Sequence, residues 1–441
     1  MQIPLLYGRG QRSVSIPHDA KVTVIRKPVM PLLRDARRAV ENALARPVGH
    51  AGQAARPLAQ LAAGCSSACI AICDITRPVP NGLFLRPLIE TIVGAGVPAN
   101  RITVLVATGL HRPNLGDELA ELIGDPWVLE NATVVNHDAL ADEEHVDLGR
   151  TTTRQTPVKI DRRFVEADLR IATGLVEPHF MAGYSGGRKV IAPGLAHADT
   201  ITTFHNHAFM SDPAATNCNL ARNPLHEEQL QIVDMIGGAY GLNTVIDEHR
   251  QLSLVNFGEI TASHREAVAF IGNYCRVGVP EPFATVVTSA AGYPLDKTYY
   301  QTVKGMVGPI EILQPGGNLI IASECGEGLG SPAYVDAQRR LVRLGQHGFL
   351  QSIQGKPLAA IDEWQTQMQT KATFRGRVTL ASSLPPAQQA LTGVHCVDNL
   401  DEVIRESIDA SRCRTVAVIP EGPYVIPYVA TAEEPSTPTA D

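Results

Sequence analysis

The tightest constraint on the fold is a rhythm in the chain. Short apolar runs, such as 68–73 (ACIAIC) and 102–107 (ITVLVA), alternate with longer stretches of helical period. A run that is too short for a stable helix, and apolar on both sides of the strand pleat, suits a strand covered on both faces. Further runs of this kind stand at 132–135 and 169–172, with helix patterns at 33–45, 84–94 and 115–123. Asn223-Pro224 supplies a cap and first position for another helix, which Gly237-Gly238 ends. The same alternation resumes near residue 276, with strands expected at 284–287, 318–322, 378–380 and 416–419 and helices at 297–313 and 334–344. The fold class expected is therefore α/β: two α/β domains with mostly parallel sheets, the active site lying in the cleft between them. Residues 1–275 form the N-terminal domain in this reading and 276–415 the C-terminal one. Residues 416–429 make a final strand and return segment, and 430–441, rich in Pro, Thr, Ala and Glu, a disordered tail. Residues 2–26 read as a hairpin followed by a strand, with Gly8-Arg9-Gly10 as a turn; Ser13 stands where a dinucleotide fingerprint needs its third glycine.

A chain of 441 residues exceeds one ordinary core, in keeping with two domains. Its net charge of −7 opposes a general nucleic-acid binder, because phosphate backbones demand a basic surface. No apolar run approaches the ~18 residues a membrane helix needs, and no charged-then-apolar leader opens the chain, so the expected location is the cytoplasm. The eight cysteines form no CxxC pair. Cys69 and Cys73 fall in an apolar strand as small hydrophobes, which opposes both structural zinc and a disulfide framework.

The chemistry concentrates after the strands. Glu177-Pro-His179-Phe-Met-Ala-Gly-Tyr-Ser-Gly186-Gly187-Arg188-Lys189 holds an imidazole, a glycine-rich bend and a lysine beside an arginine. Glycines let a backbone approach an anion, and a lysine next to another cation has a lowered pKa and serves as a nucleophile. It is no P-loop, since Val190 stands where a magnesium-binding Ser or Thr belongs. Ala107-Thr-Gly-Leu110 and Ala172-Thr-Gly-Leu175 are echoes that end two strands, and His111 and His179 follow them. Ligands of open α/β sheets bind at that rim, so two histidines there suit acid–base work on one hydroxyl, against the bland alternative of solvated loop histidines. Asp74-Ile-Thr76-Arg77-Pro leaves the 68–73 strand at the same end. Arg77 suits a carboxylate or phosphate, with Asp74 or Thr76 orienting it or meeting the ligand; the alternative is an Asp–Arg pair in a rigid turn. His205 and His207 form an H-x-H pair that would share a face on a strand and chelate a metal. His197 and His226 read as surface residues. Tyr300, Gln301 and Lys304 bring hydroxyl, amide and ammonium groups together on a helix, an anion contact or an ordinary amphipathic face. Trp364 walls a pocket or packs in a core.

Taken in order, the Asp74, His111, His179–Lys189, His205 and Tyr300–Lys304 segments resemble the nickel-dependent lactate racemase family over nearly the whole chain. The resemblance implies a cofactor, the nickel-pincer nucleotide, a pyridinium mononucleotide that binds nickel through sulfur, carbon and sulfur, and it makes 1–275 the cofactor-binding domain. It implies His205 as the nickel ligand and Lys189 as a covalent tether. Asp74, Thr76, Gly186, Gly187 and Arg188 are expected around the cofactor, and Arg77, Tyr300, Gln301, Lys304 and Trp364 around the substrate. His111 and His179 become the paired acid/base groups. The activity implied is inversion of C2 in a 2-hydroxy acid, lactate or a relative, by proton-coupled hydride transfer, with cofactor-biosynthesis proteins as transient partners. Two other classes compete: a metal-dependent hydrolase using His205 and His207, and a non-catalytic nucleotide-binding protein.

Overall fold

The computed structural model describes residues 1–49 and 55–430. The chain divides into two compact units, neither continuous in sequence. The first joins Met30–Phe204 to Asn219–Asn273; the second joins Met1–Val29, His205–Cys218 and the chain from Tyr274 onward.

The first unit is built on a six-stranded sheet in the order Leu252–Glu259, Tyr240–Ile246, Leu169–Leu175, Ala68–Cys73, Ile102–Ala107 and Thr133–Asn136. All neighbours run parallel except the first pair. Ile70, Ala71 and Ile72 are completely buried, as expected of a strand covered on both sides. Helix Asn81–Gly94 lays Phe84, Leu85, Leu88, Ile89 and Ile92 into the core with Ile70, Ile72, Val104 and Val106. Helix Ala36–Ala45 starts where the Asp35 carboxylate accepts the Arg38 amide at 3.0 Å, the ordinary way of satisfying an orphan N–H.

The second unit holds a fully parallel six-stranded sheet: His395–Cys396, Arg377–Ala381, Leu313–Ala322, Phe283–Ser289, Thr415–Ile419 and Lys21–Val24. The hairpin Gln2–Tyr7/Gly10–Ser15 turns at Gly8 and packs Ile3, Leu5, Val14 and Ile16 with Val287, Ile320 and the apolar stripe of helix Leu400–Ser411. A separate core gathers Tyr299, Met306, Ile312, Tyr334 and Ala372 with Val286, Leu319 and Ile321.

The fold class is as expected; the division of the chain differs from a break at 275/276. Residues 205–218 join the second unit, where Gln367 bonds to His207 and Ser211, and residues 1–29 belong with its sheet, because Lys21–Val24 pairs in parallel with Thr415–Ile419. That pairing joins segments almost 400 residues apart, roughly the whole chain, and no local pattern announces it. Thr415–Ile419 is also an interior strand of the sheet and not the start of a separate segment; Ile426–Val429 pairs in parallel with Arg276–Val279. Of the expected tail, 431–441 lie outside the described residues.

Candidate active site

Strands Leu169–Leu175, Ala68–Cys73 and Ile102–Ala107 lie side by side and parallel, so the loops at their carboxyl ends leave the same edge of the first unit's sheet. The middle loop opens with Asp74, which is 5% exposed. One carboxylate oxygen lies 2.7 Å from His111 Nδ1, and the other accepts the Thr76 hydroxyl at 2.6 Å. Burial pushes the Asp74 pKa up, but His111, Thr76 and Arg77 together outweigh it and hold the group below the usual carboxylate range. Thr76 thus donates to Asp74, and Asp74 turns its other oxygen to His111: a short dyad in which a buried carboxylate orients a half-exposed imidazole.

The same loop reaches the other neighbour. Arg77 donates to the Glu177 carboxylate in a largely buried ion pair, which raises the guanidinium pKa against the opposing pull of burial. Arg77 therefore already has an anion, and Glu177, to which the sequence reading gave no role, supplies it. Its place two residues before His179 was the available signal. His179 ends a two-residue strand, Pro178–His179, paired with Gly183-Tyr184. Its Nδ1 accepts the backbone amides of Met181 at 3.3 Å and Ala182 at 3.2 Å. Gly183 must be glycine: φ is +77°, and a Cβ would stand 2.2 Å from the Asn219 carbonyl oxygen.

At Gly186 and Gly187 the place of a Cβ is filled by Val176 (2.7 Å) and His264 (2.9 Å), so the missing side chains let the bend pack closely. Arg188, 2% exposed, donates to His226 Nδ1 at 2.8 Å and to the carbonyls of Ala182 and Tyr184, and it meets His264 Nε2 at 2.8 Å. These contacts hold the bend together from inside. Burial lowers its pKa to about 9, and no carboxylate is among its partners. His226 is consequently buried, not a surface residue, and burial followed by the Arg188 charge drives its pKa down to about 3. His197 is likewise buried, its ring edge-on to His145 at 5.0 Å. Lys189 has a pKa lowered to about 7, by burial first and then by Arg77, with Arg188 adding to it.

The second unit contributes another set. His205 lies between helices Ala198–Phe204 and His207–Ser211, so the H-x-H pair is not on a strand and its two rings have no shared strand face. His207 instead contacts the Ser211 hydroxyl one turn on. His205 is 7% exposed, with its ring centroid 4.9 Å from that of Trp364 at 41°. Asn206 caps the following helix and donates to the Pro357 carbonyl at 3.0 Å. Trp364 is the second residue of helix Glu363–Arg375, which the sequence reading missed: beside the short apolar row Trp364, Met368 and Ala372, the polar Gln365, Thr366, Gln367, Gln369 and Thr370 are buried as well. Gln367 donates to the His207 carbonyl and Gln365 to the Tyr300 carbonyl, so this helix ties the His205 segment to helix Tyr299–Val307. That helix is capped by Thr298 and carries Tyr300, Gln301 and Lys304 as expected. Gln301 Oε1 is buried without a hydrogen-bond partner.

Comparison with known proteins agrees with the resemblance. Residues 7–217 match the family model for the lactate racemase N-terminal domain, and residues 280–427 that for the lactate racemase C-terminal domain. The lactate racemase of Lactiplantibacillus plantarum is 30% identical over 397 residues, 88% of this chain and 90% of that one. That of Thermoanaerobacterium thermosaccharolyticum is 33% identical over 334 residues, 75% of this chain and 76% of its own. The solved lactate racemase apoprotein from T. thermosaccharolyticum superposes with a TM-score of 0.87 at 28% identity, covering 97% of this chain and 100% of that one. A Thermotoga maritima protein with a TM-score of 0.67 and 16% identity, over 91% of this chain and all of its own, shares the fold alone. With both family domains matched in order and a relative aligned along most of its length, the chain belongs to the lactate racemase family.

Proposed function

We propose that the protein inverts C2 of a 2-hydroxy acid, lactate or a close relative, using His111 and His179 as acid/base groups and a nickel-pincer nucleotide as cofactor. The observation that carries this reading is the arrangement of three adjacent strand ends, in which Asp74 orients His111 and Arg77 is joined to the Glu177–His179 segment.

The residues present fit such a group. Among the described residues no three His, Cys, Asp or Glu side chains converge to hold a metal, so a metal on His205 must bring its other ligands with it. Lys189, with a pKa of about 7, offers a neutral amine for attachment near neutral pH. Arg188 is a buried cation among neutral partners, an arrangement that a nearby anionic group would favour. Gln301 Oε1 is an unmet buried acceptor.

When bound, the nucleotide supplies a hydride acceptor for the hydrogen on the carbinol carbon. The chain's own side chains do the remaining work. A histidine takes the hydroxyl proton, and Asp74 stabilises the imidazolium that forms at His111. Arg77 uses one of its five donors on Glu177 and keeps others for a substrate carboxylate. Lys304 adds a point charge, Tyr300 and Gln301 add donors, and Trp364 walls the His205 side. Loading calls for transient contact with the proteins that make the cofactor.

The test is protein produced with the cofactor pathway and offered a panel of single-enantiomer 2-hydroxy acids without added NAD. Inversion of at least one, read by chiral chromatography, is expected. A nickel-loaded preparation that inverts none would overturn the reading.

A further inference from the structure

The two histidines differ in what their Nδ1 atoms meet. His111 Nδ1 lies 2.7 Å from an oxygen of Asp74, and an ionised carboxylate only accepts. His179 Nδ1 faces two backbone amides, at 3.3 and 3.2 Å, and a backbone N–H only donates. In a neutral imidazole one nitrogen carries the proton and the other the lone pair, and the partner of one decides the state of the other. We infer that the fold sets the two rings in opposite tautomers: His111 protonated on Nδ1 with its lone pair on Nε2, and His179 with its lone pair on Nδ1 and its proton on Nε2. At rest, His111 is the arm that takes a proton and His179 the arm that offers a hydrogen bond or a proton.

The use made of these protons rests on the racemase reading; the tautomers stand on the hydrogen bonds alone. A proton accepted at His111 Nε2 gives an imidazolium whose Nδ1–H stays on the Asp74 carboxylate, so the new charge is paired where it forms. His179 Nδ1 meets the Met181 and Ala182 amides, which donate. For its Nε2 to accept, a proton must first sit on Nδ1, and the Met181 and Ala182 amides must release it, opening the bend that Gly183 and Arg188 close. Asp74 is thus a positioning residue for one arm, and the 179–183 bend performs that role for the other. Exchange of roles between the arms is a conformational event as well as a proton transfer.

The two states are distinguishable without turnover. Full-length protein carrying ¹⁵N-histidine is examined by two-bond ¹H–¹⁵N correlation above the ordinary imidazole pKa, with and without cofactor, the signals being assigned with His111→Gln and His179→Gln. The expected pattern is a protonated Nδ1 and bare Nε2 for His111 and the reverse for His179. A proton on His111 Nε2 or on His179 Nδ1 in the cofactor-free protein overturns the inference. Asp74→Asn supplies a second reading, because its amide donates as well as accepts. His111 should then lose its bias toward Nδ1–H and populate both tautomers while His179 stays unchanged, and a His111 with the wild-type populations in this variant removes the Asp74 charge from the positioning role. If Asp74→Asn does not fold, the wild-type spectrum decides. Directional rates cannot substitute for the spectrum, since enantiomers are equally stable and kcat/KM must fall alike in both directions. The expected tautomers in a protein that inverts no hydroxy acid would sink the proposed function and leave the inference standing. An active protein with His179 protonated on Nδ1 would do the opposite.

Discussion

Lys189 shows what a single residue's surroundings do to its chemistry. Its pKa falls from 10.5 to about 7, burial coming first and Arg77 next. Below pH 7 the amine is protonated and inert as a nucleophile; above it the amine is neutral. Acylation of cofactor-free protein, followed by peptide mass spectrometry, should therefore label Lys189 with a midpoint near pH 7 while exposed lysines respond only far above it. The linkage has a definite sign. Between about 7 and 10.5 the unfolded chain binds the proton that the folded chain has lost, so this group's contribution to stability rises with pH across that window. His111 and His179 make a different prediction. His111→Gln and His179→Gln in loaded protein should each lower kcat by ~100- to 10,000-fold, the usual worth of a general acid or base. Nickel content should stay unchanged, as checked by metal analysis.

At the scale of elements, the bend from His179 to Lys189 is held by what it lacks. Gly183 pairs with His179, has φ +77° and has a carbonyl oxygen where a methyl would go. Gly183→Ala should lower the unfolding free energy, read from denaturant titration, by more than the ~1–2 kcal/mol of the left-handed conformation alone, because the Asn219 carbonyl must also move. Gly64→Ala is the control: φ is +86° with nothing within 4 Å of the new methyl, so only the conformational cost applies. Helix Glu363–Arg375 teaches a complementary lesson. Most of its buried residues are polar, Gln365, Gln367 and Gln369 donating to the Tyr300, His207 and Thr392 carbonyls, and the short apolar row Trp364, Met368 and Ala372 did not mark it. Strands Tyr240–Ile246 and Leu252–Glu259 were missed for a related reason: Gly241, Asn243, Asn256 and Gly258 interrupt the apolar pattern, and Asn243 bonds to Asn256 across the pair.

For the whole molecule, the expected site residues fall into two sets on two units: Asp74, Arg77, His111, His179 and Lys189 on one, and His205, Tyr300, Gln301, Lys304 and Trp364 on the other. If Lys189 tethers the nucleotide and His205 completes the metal, the two attachments are separable. His205→Ala should keep the mass of the organic group on the intact chain and lose its nickel. Lys189→Arg should lose the covalent mass. Both are read by native and denaturing mass spectrometry, and a His205→Ala protein that retains full nickel would remove His205 from the ligand role. No helix among the described residues is long and apolar enough to cross a membrane.

The strands at 68–73 and 102–107 were legible to the residue because a strand covered on both faces must be apolar throughout, a demand that every position of the segment records. The histidines at two strand ends were legible because a parallel sheet sends every such end to one rim. Pairing partners were not: Lys21–Val24 beside Thr415–Ile419, the Asp74 carboxylate turned to His111, and Arg188 folded inward onto His226 and His264. A charged side chain carries the same letter whether it meets a ligand or a neighbour. Which one it meets is fixed by distances across the fold, and those exist only once the chain has packed.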